Sequence, residues 1–267
     1  MQLILPAPLE DTAEAISRDD MTMYESLLAE GVLTRTTAIN RDNIQPVAEL
    51  HIGLIQYLGG AYHLRDAERF RKAVSMHLSL AEWLVERFEP EPRHLLVDLC
   101  LSVINGSSQT RRSLARAILT APGGVDIHDE AGLLATILAA TSDLDRGRAV
   151  LEIARLRNAC VARTFPRLRT RALIAFAIGA REINAGTTTR FASWLLRMDS
   201  SRLASIVKEL TRAQRGESTA ITAASFIDLP AAALASLAAS RLRRRDGDTF
   251  PKTFFSDYRW IAEAGWA

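Results

Sequence analysis

Apolar residues recur three and four positions apart along most of this sequence, which is the period of an α-helix with one buried face. Within 64–88, Phe70, Val74, His77, Leu80, Ala81, Leu84 and Phe88 share a stripe, while Arg69, Arg71, Lys72, Glu82 and Glu86 lie mostly elsewhere. The preceding segment puts Val47, His51, Leu54, Leu58 and Ala61 on one face behind Pro46, a residue that a first helical turn tolerates. No sustained period-two run rich in β-branched residues and bounded by hairpin turns occurs. The pattern predicts an all-α protein of about a dozen helices packed as antiparallel hairpins, either an irregular bundle or a degenerate helical-repeat array.

Punctuation sets the expected bounds. Gly59-Gly60 weakens the end of the first clear helix, and Pro90 and Pro92 stop the second. Residues 94–104 are apolar nearly all round, as a central buried helix would be. Asn105-Gly106 ends that helix and Ser107-Ser108 offers a cap for the next; Pro122-Gly123-Gly124 makes the clearest loop. Asp126 and Asp129 are spaced to cap a helix through Ala140, and Asp143 or Asp145 the one that follows to Ala162. Further helices are expected over 168–182, 188–198, 201–214, 218–227 and 229–245, with a short terminal segment after Phe254; Asp199-Ser200 reads as a turn. No linker rich in Pro, Gly or Ser divides the chain, so residues 1–267 are expected to form a single domain.

Composition matters chiefly through charge. The chain has 267 residues, 48% of them hydrophobic, which places it among ordinary globular proteins. Its 33 basic and 31 acidic side chains nearly cancel, but unevenly along the sequence. Residues 1–134 carry 12 basic and 19 acidic side chains, net −7, and residues 135–267 carry 21 and 12, net +9. Lys72, Lys208 and Lys252 are the only lysines, so the positive charge is nearly all guanidinium. Cys100 and Cys160 show no disulfide or zinc spacing, and the N-terminus lacks the basic and long apolar regions of a secretion signal; a reduced, cytoplasmic setting is expected. The least charged stretch, 218–240, is alanine-rich and interrupted by Asp228 and Pro230, so no membrane span is expected.

Catalytic signals are weak. His51 and His77 fall within the apolar stripes of consecutive helices, but neither an i, i+4 histidine pair nor a Glu-x-x-His pattern accompanies them, so packing outweighs metal binding. His128 sits in Asp126-Ile-His-Asp-Glu130, where helix capping accounts for the carboxylates. Ser205-Ile-Val-Lys208 has the Ser-x-x-Lys spacing of an acyl enzyme without its companion elements, and no phosphate-binding glycine loop or metalloprotease motif occurs. No cofactor, metal site or catalytic residue is therefore expected.

Arginine is the strongest polar signal. Arg146, Arg148, Arg155, Arg157, Arg163, Arg167, Arg169 and Arg171 stand against Glu152 alone, and Arg241-Leu-Arg-Arg-Arg245 closes a later helix. Guanidinium forks suit carboxylate or phosphate recognition, so an acidic protein or a nucleic acid is the natural partner; pairing with the acidic half of the same chain is the competing use. Glu82, Glu86, Glu89 and Glu91 form an opposite cluster that suits a basic partner or a solvated helix face. The candidate partner-binding residues are Glu82, Glu86, Glu89, Glu91, Arg163, Arg167, Arg169 and Arg171.

Several pieces in order carry a family resemblance: Arg69-Phe-Arg-Lys-Ala-Val-Ser-Met-His-Leu-Ser-Leu-Ala-Glu-Trp83, the Asn105-Gly106 break, Leu229-Pro-Ala-Ala-Ala-Leu-Ala-Ser-Leu-Ala238, and Phe255-Ser-Asp-Tyr258. Together they resemble the all-α immunity proteins of bacterial polymorphic toxin systems, in particular the group numbered forty-nine. Tyr258-Arg-Trp260 departs from the Tyr-Leu-Pro-like continuation of that group. The resemblance implies a non-enzymatic cytoplasmic protein that binds and neutralises a cognate toxin, and it carries over no individual residue's role. A nucleic-acid-associated helical-repeat protein using the 146–171 arginines is the alternative.

Overall fold

A computed structural model of the chain describes residues 5–29, 45–87, 90–104, 107–122, 124–143, 145–162, 164–165, 167–187, 191–217 and 221–242. Ten α-helices and two short 3-10 turns account for most of them, with no strand among the described residues, so the protein is all-α as its periodicity requires. The helices are α1 (Ala7–Ala29), α2 (Gln45–His63), α3 (Ala67–Arg87), α4 (Leu96–Ile104), α5 (Ser108–Thr120), α6 (Glu130–Ser142), α7 (Arg146–Val161), α8 (Arg167–Ala185), α9 (Phe191–Gln214) and α10 (Leu229–Leu242). The 3-10 turns are Pro92–Leu95 and Ala223–Phe226. The chain clusters into two compact units, one holding Leu3–Leu80 and Ser205–Ile227, the other Ala81–Ala204 and Asp228–Trp266.

In the first unit α1 and α2 pack together and both meet the turn at Ala223. Leu9, Ala13, Ser17, Met21 and Tyr24 form the buried stripe of α1, at spacings of three and four. Leu54, Tyr57, Leu58, Ala61 and Tyr62 do the same for α2. Gly59 and Gly60 prove to be contact residues rather than a helix end, since α2 continues to His63. A Cβ on Gly59 would lie 2.0 Å from the Ala223 carbonyl oxygen, and one on Gly60 2.9 Å from the Ser17 carbonyl oxygen. The Asp20 carboxylate accepts the Ala223 N–H at 2.7 Å and so holds the turn in place.

The second unit is built around α6, whose residues from Gly132 to Thr141 are all buried. Helices α4, α5, α7, α8 and α10 pack on it from several sides. Helix α4 is buried from Asp98 to Ile104, which is why its sequence is apolar nearly all round. Two of the predicted caps are present: Asp129 accepts the Gly132 N–H at 3.0 Å to start α6, and Asp145 accepts the Arg148 N–H at 3.0 Å to start α7, whereas Asp126 accepts the His128 N–H in the turn before α6. Asp143 instead terminates α6. Ser107 occupies the N-cap position of α5, but its hydroxyl donates to Thr110 Oγ1 rather than accepting a backbone N–H.

Two expected elements differ. Residues 188–198 and 201–214 are expected as separate helices, yet α9 runs through Asp199-Ser200 without a break. Aspartate and serine each cost only a few tenths of a kcal/mol in a helix interior, too little to end one without glycine or proline. Of the helix expected over 218–227, the described residues 221–227 hold only the 3-10 turn, flanked by extended backbone at Thr222 and Ile227; residues 218–220 lie outside the described residues. The segment Ala223–Ser240 is apolar enough for a membrane span by composition, but 61% of it is buried. Glu89, Arg163, Asn105-Gly106, Arg243 to Arg245 and the segment after Phe254 lie outside the described residues, as does the side chain of His51.

Candidate partner-binding surface

Helix α7 has two apolar faces. Ala149, Ile153, Leu156, Ala159 and Cys160 are buried on its inner side, where α6 and α8 pack. On its outer side Val150 is 57% exposed, Leu151 65% and Val161 82%, with Gly147, Ala154 and Asn158 also exposed. At 3.6 residues per turn these outer positions fill an arc of roughly 140°, with Arg146 and Arg157 along one edge. Isolated exposed apolar residues are ordinary, but a helix-length stripe of them marks an interaction surface. Each of the three large side chains would contribute about 1–2 kcal/mol on being covered by a partner.

The arginines divide between structural and available roles. Arg155 pairs with the buried carboxylate of Glu152 at 3.0 Å and also donates to the Val125 carbonyl, fastening α7 to the loop before α6. Arg169 Nε donates to Glu130 at 2.7 Å, and this carboxylate raises the Arg169 pKa. Arg146, Arg157, Arg167 and Arg171 are exposed, and among the described residues no carboxylate pairs with any of them. Arg167 and Arg171 stand one turn apart at the start of α8, which the short connection 162–166 brings back from the end of α7. Of the predicted basic residues, Arg169 therefore serves the fold, while Arg167 and Arg171 face solvent.

The acidic cluster is largely engaged in its own surroundings. Glu82 accepts the Thr110 hydroxyl at 2.5 Å, linking α3 to the start of α5. Glu91 pairs with Arg93 at 2.7 Å, and Glu86 is exposed. None of Glu82, Glu86 and Glu91 pairs with Arg167, Arg169 or Arg171.

The histidines show packing and capping environments. His77 is buried in α3. His128 is exposed, and its backbone N–H donates to Asp126 at 2.9 Å, closing a local turn. Burial pushes both cysteine thiols up, Cys100 well above its ordinary value, so neither is a thiolate nucleophile at neutral pH. Val150, Leu151 and Val161 are the residues that sequence reasoning missed. Part of their signal was present, since Val150, Ala154 and Val161 repeat the spacing of Ala149, Ile153 and Cys160, but periodicity alone does not say which stripe is covered. No protein-family model, curated protein or solved structure matches the chain.

Proposed function

We propose that this chain is a binding protein with no chemistry of its own, and that it acts in the cytoplasm as an immunity protein that covers and neutralises a cognate toxin. The observation that carries the reading is the uncovered outer face of α7, with Val150, Leu151 and Val161 exposed beside unpaired Arg146 and Arg157. An apolar centre with a charged rim is the anatomy of a specific protein interface, where the rim speeds and orients encounter and the centre supplies affinity. The resemblance of the 69–83 and 229–238 segments to polymorphic-toxin immunity proteins supplies the kind of partner.

The test is coexpression with the product of a secreted-toxin gene adjoining this one. A one-to-one complex on gel filtration, together with restored growth of cells making the toxin, is the expected outcome. A toxin that neither binds this chain nor loses its effect would sink the reading. The unpaired arginines also favour a second reading, nucleic-acid binding, whose salt dependence separates it from the first.

A further inference from the structure

Taking the chain as a protein-binding protein, we propose that the outer face of α7 seats an amphipathic helix of the partner, apolar along its seam and lined with aspartate or glutamate on one flank. The face has the form of a helix seat. Gly147, Ala154 and Val161 recur every seven residues, with Val150 between the first two at the spacing of a two-helix seam and Arg157 at the seam's edge. Gly147 to Val161 is about 21 Å long, four turns against which a second helix can lie. Gly147 and Ala154 have small or absent side chains at alternate contact points, so a second backbone can approach closely, and Val150 and Leu151 stand beside them as apolar walls.

Charge selects the occupant. Between Arg146 and Val161 the only acid is Glu152, which is buried and held by Arg155; the Asp145 carboxylate lies beside Gly147 at the start of the face, where it caps α7, and Arg146 and Arg157 form the positive edge. A second copy of this chain, paired antiparallel about Ala154, would set Arg157 against Val150 and Leu151 and give neither Arg146 nor Arg157 a carboxylate to meet, which disfavours a symmetric pair. A nucleic-acid backbone would need its contacts along the centre, where the face is Val150, Ala154 and Val161. A lipid surface is served by aromatic anchors, and α7 has none. Carboxylates on a partner helix about three turns apart would meet Arg146 and Arg157, which are eleven positions apart.

Fluorescence anisotropy with the full chain tests this seat. The probe is a labelled 21-residue helical peptide with leucine at its seam positions and glutamate on the flanks; its counterpart carries lysine on the flanks. The glutamate peptide is expected to bind in the micromolar range and the lysine peptide at least tenfold more weakly. Ala154→Glu should remove binding while leaving the circular dichroism and thermal midpoint of the chain unchanged, because Ala154 is exposed. The double variant Arg146→Glu with Arg157→Glu should reverse the preference between the two peptides. Equal binding of both peptides, or none, overturns the proposal. So does a dimer in sedimentation that Ala154→Glu abolishes, or binding to phosphatidylserine vesicles that it abolishes. A toxin complex that withstands Ala154→Glu removes this seat and keeps the immunity reading, whereas loss of the toxin complex with peptide binding intact does the reverse.

Discussion

At the scale of single residues, the same residue type has opposite meanings at different places. Gly59 faces backbone: an added Cβ would lie 2.0 Å from the Ala223 oxygen and 2.4 Å from its carbon, and neither can swing away as a side chain would. Gly59→Ala is expected to cost about 2–3 kcal/mol, the range of an overpacked contact. Gly124 has open space around it but a φ of 69°, so Gly124→Ala should cost only about 1 kcal/mol through the left-handed conformation. Urea unfolding of the two variants measures the contrast. His63 is read by pH instead. Its ring lies 4.9 Å from that of Phe226, its Nε2 is 3.5 Å from a Glu10 carboxylate oxygen, and burial pushes its pKa below 6.5, with Arg65 adding to the drop and Glu14 opposing it. The unfolded chain therefore binds more protons than the folded one below about pH 6.5, and stability falls as pH drops through that window. Glu10 is raised by burial from 4.5 and so stabilises on protonation only in more acid solution. The urea midpoint should fall between about pH 7.5 and 6.0, and His63→Phe should flatten that decline; an equal decline in the variant would assign it to other groups.

At the scale of the element, α7 shows what can be read from sequence and what cannot. Its start was legible, because a carboxylate at Asp145 three residues before the Arg148 N–H is a local device that needs no tertiary information. The buried character of α4 was legible in the same way, since a run that is apolar nearly all round is a local property. The continuity of α9 was not, because a weak turn signal at Asp199-Ser200 loses to the packing of a 24-residue helix. The turn at Ala223 was not, because it is set by Asp20 and Gly59, more than a hundred residues away in sequence. The candidate surface was half legible: its arginines stood out, whereas the uncovered state of Val150, Leu151 and Val161 depends on which helices pack beside α7. Local origin also makes the two ends of one turn separable. Asp145→Ala should destabilise the chain by about 1 kcal/mol by losing the cap. Gly147→Ala, whose Cβ would meet only Asp145 Oδ1 at 3.7 Å, should stabilise it by about 0.5 kcal/mol through helix propensity. Thermal unfolding of both variants should show midpoint shifts of opposite sign.

For the whole molecule, the uneven charge along the sequence resolves only partly into internal pairing. Arg169 of the basic half does reach Glu130 of the acidic half. Arg155 and Arg212 instead pair with glutamates of their own half, and Arg69 with Glu25 and Asp66 of its own. Among the described residues Arg146, Arg157, Arg167 and Arg171 remain outside these pairs around the α7–α8 connection, and Arg181 is exposed further along α8, which sets the scale of what nucleic acid can gain there. Four phosphate contacts release about four counterions, so the slope of log affinity against log salt would be roughly −4. Such binding weakens about a hundredfold between 50 and 200 mM salt, and at the higher concentration it adds nothing specific. An acidic protein partner behaves differently, because an apolar centre formed by Val150, Leu151 and Val161 is insensitive to salt and keeps affinity when the rim is screened. The expected result is weak retention of random-sequence duplex DNA at low salt that disappears by about 200 mM. A slope near −7 or steeper, or tight retention at 200 mM, would require more phosphate contacts than Arg146, Arg157, Arg167 and Arg171 supply and would favour the nucleic-acid reading.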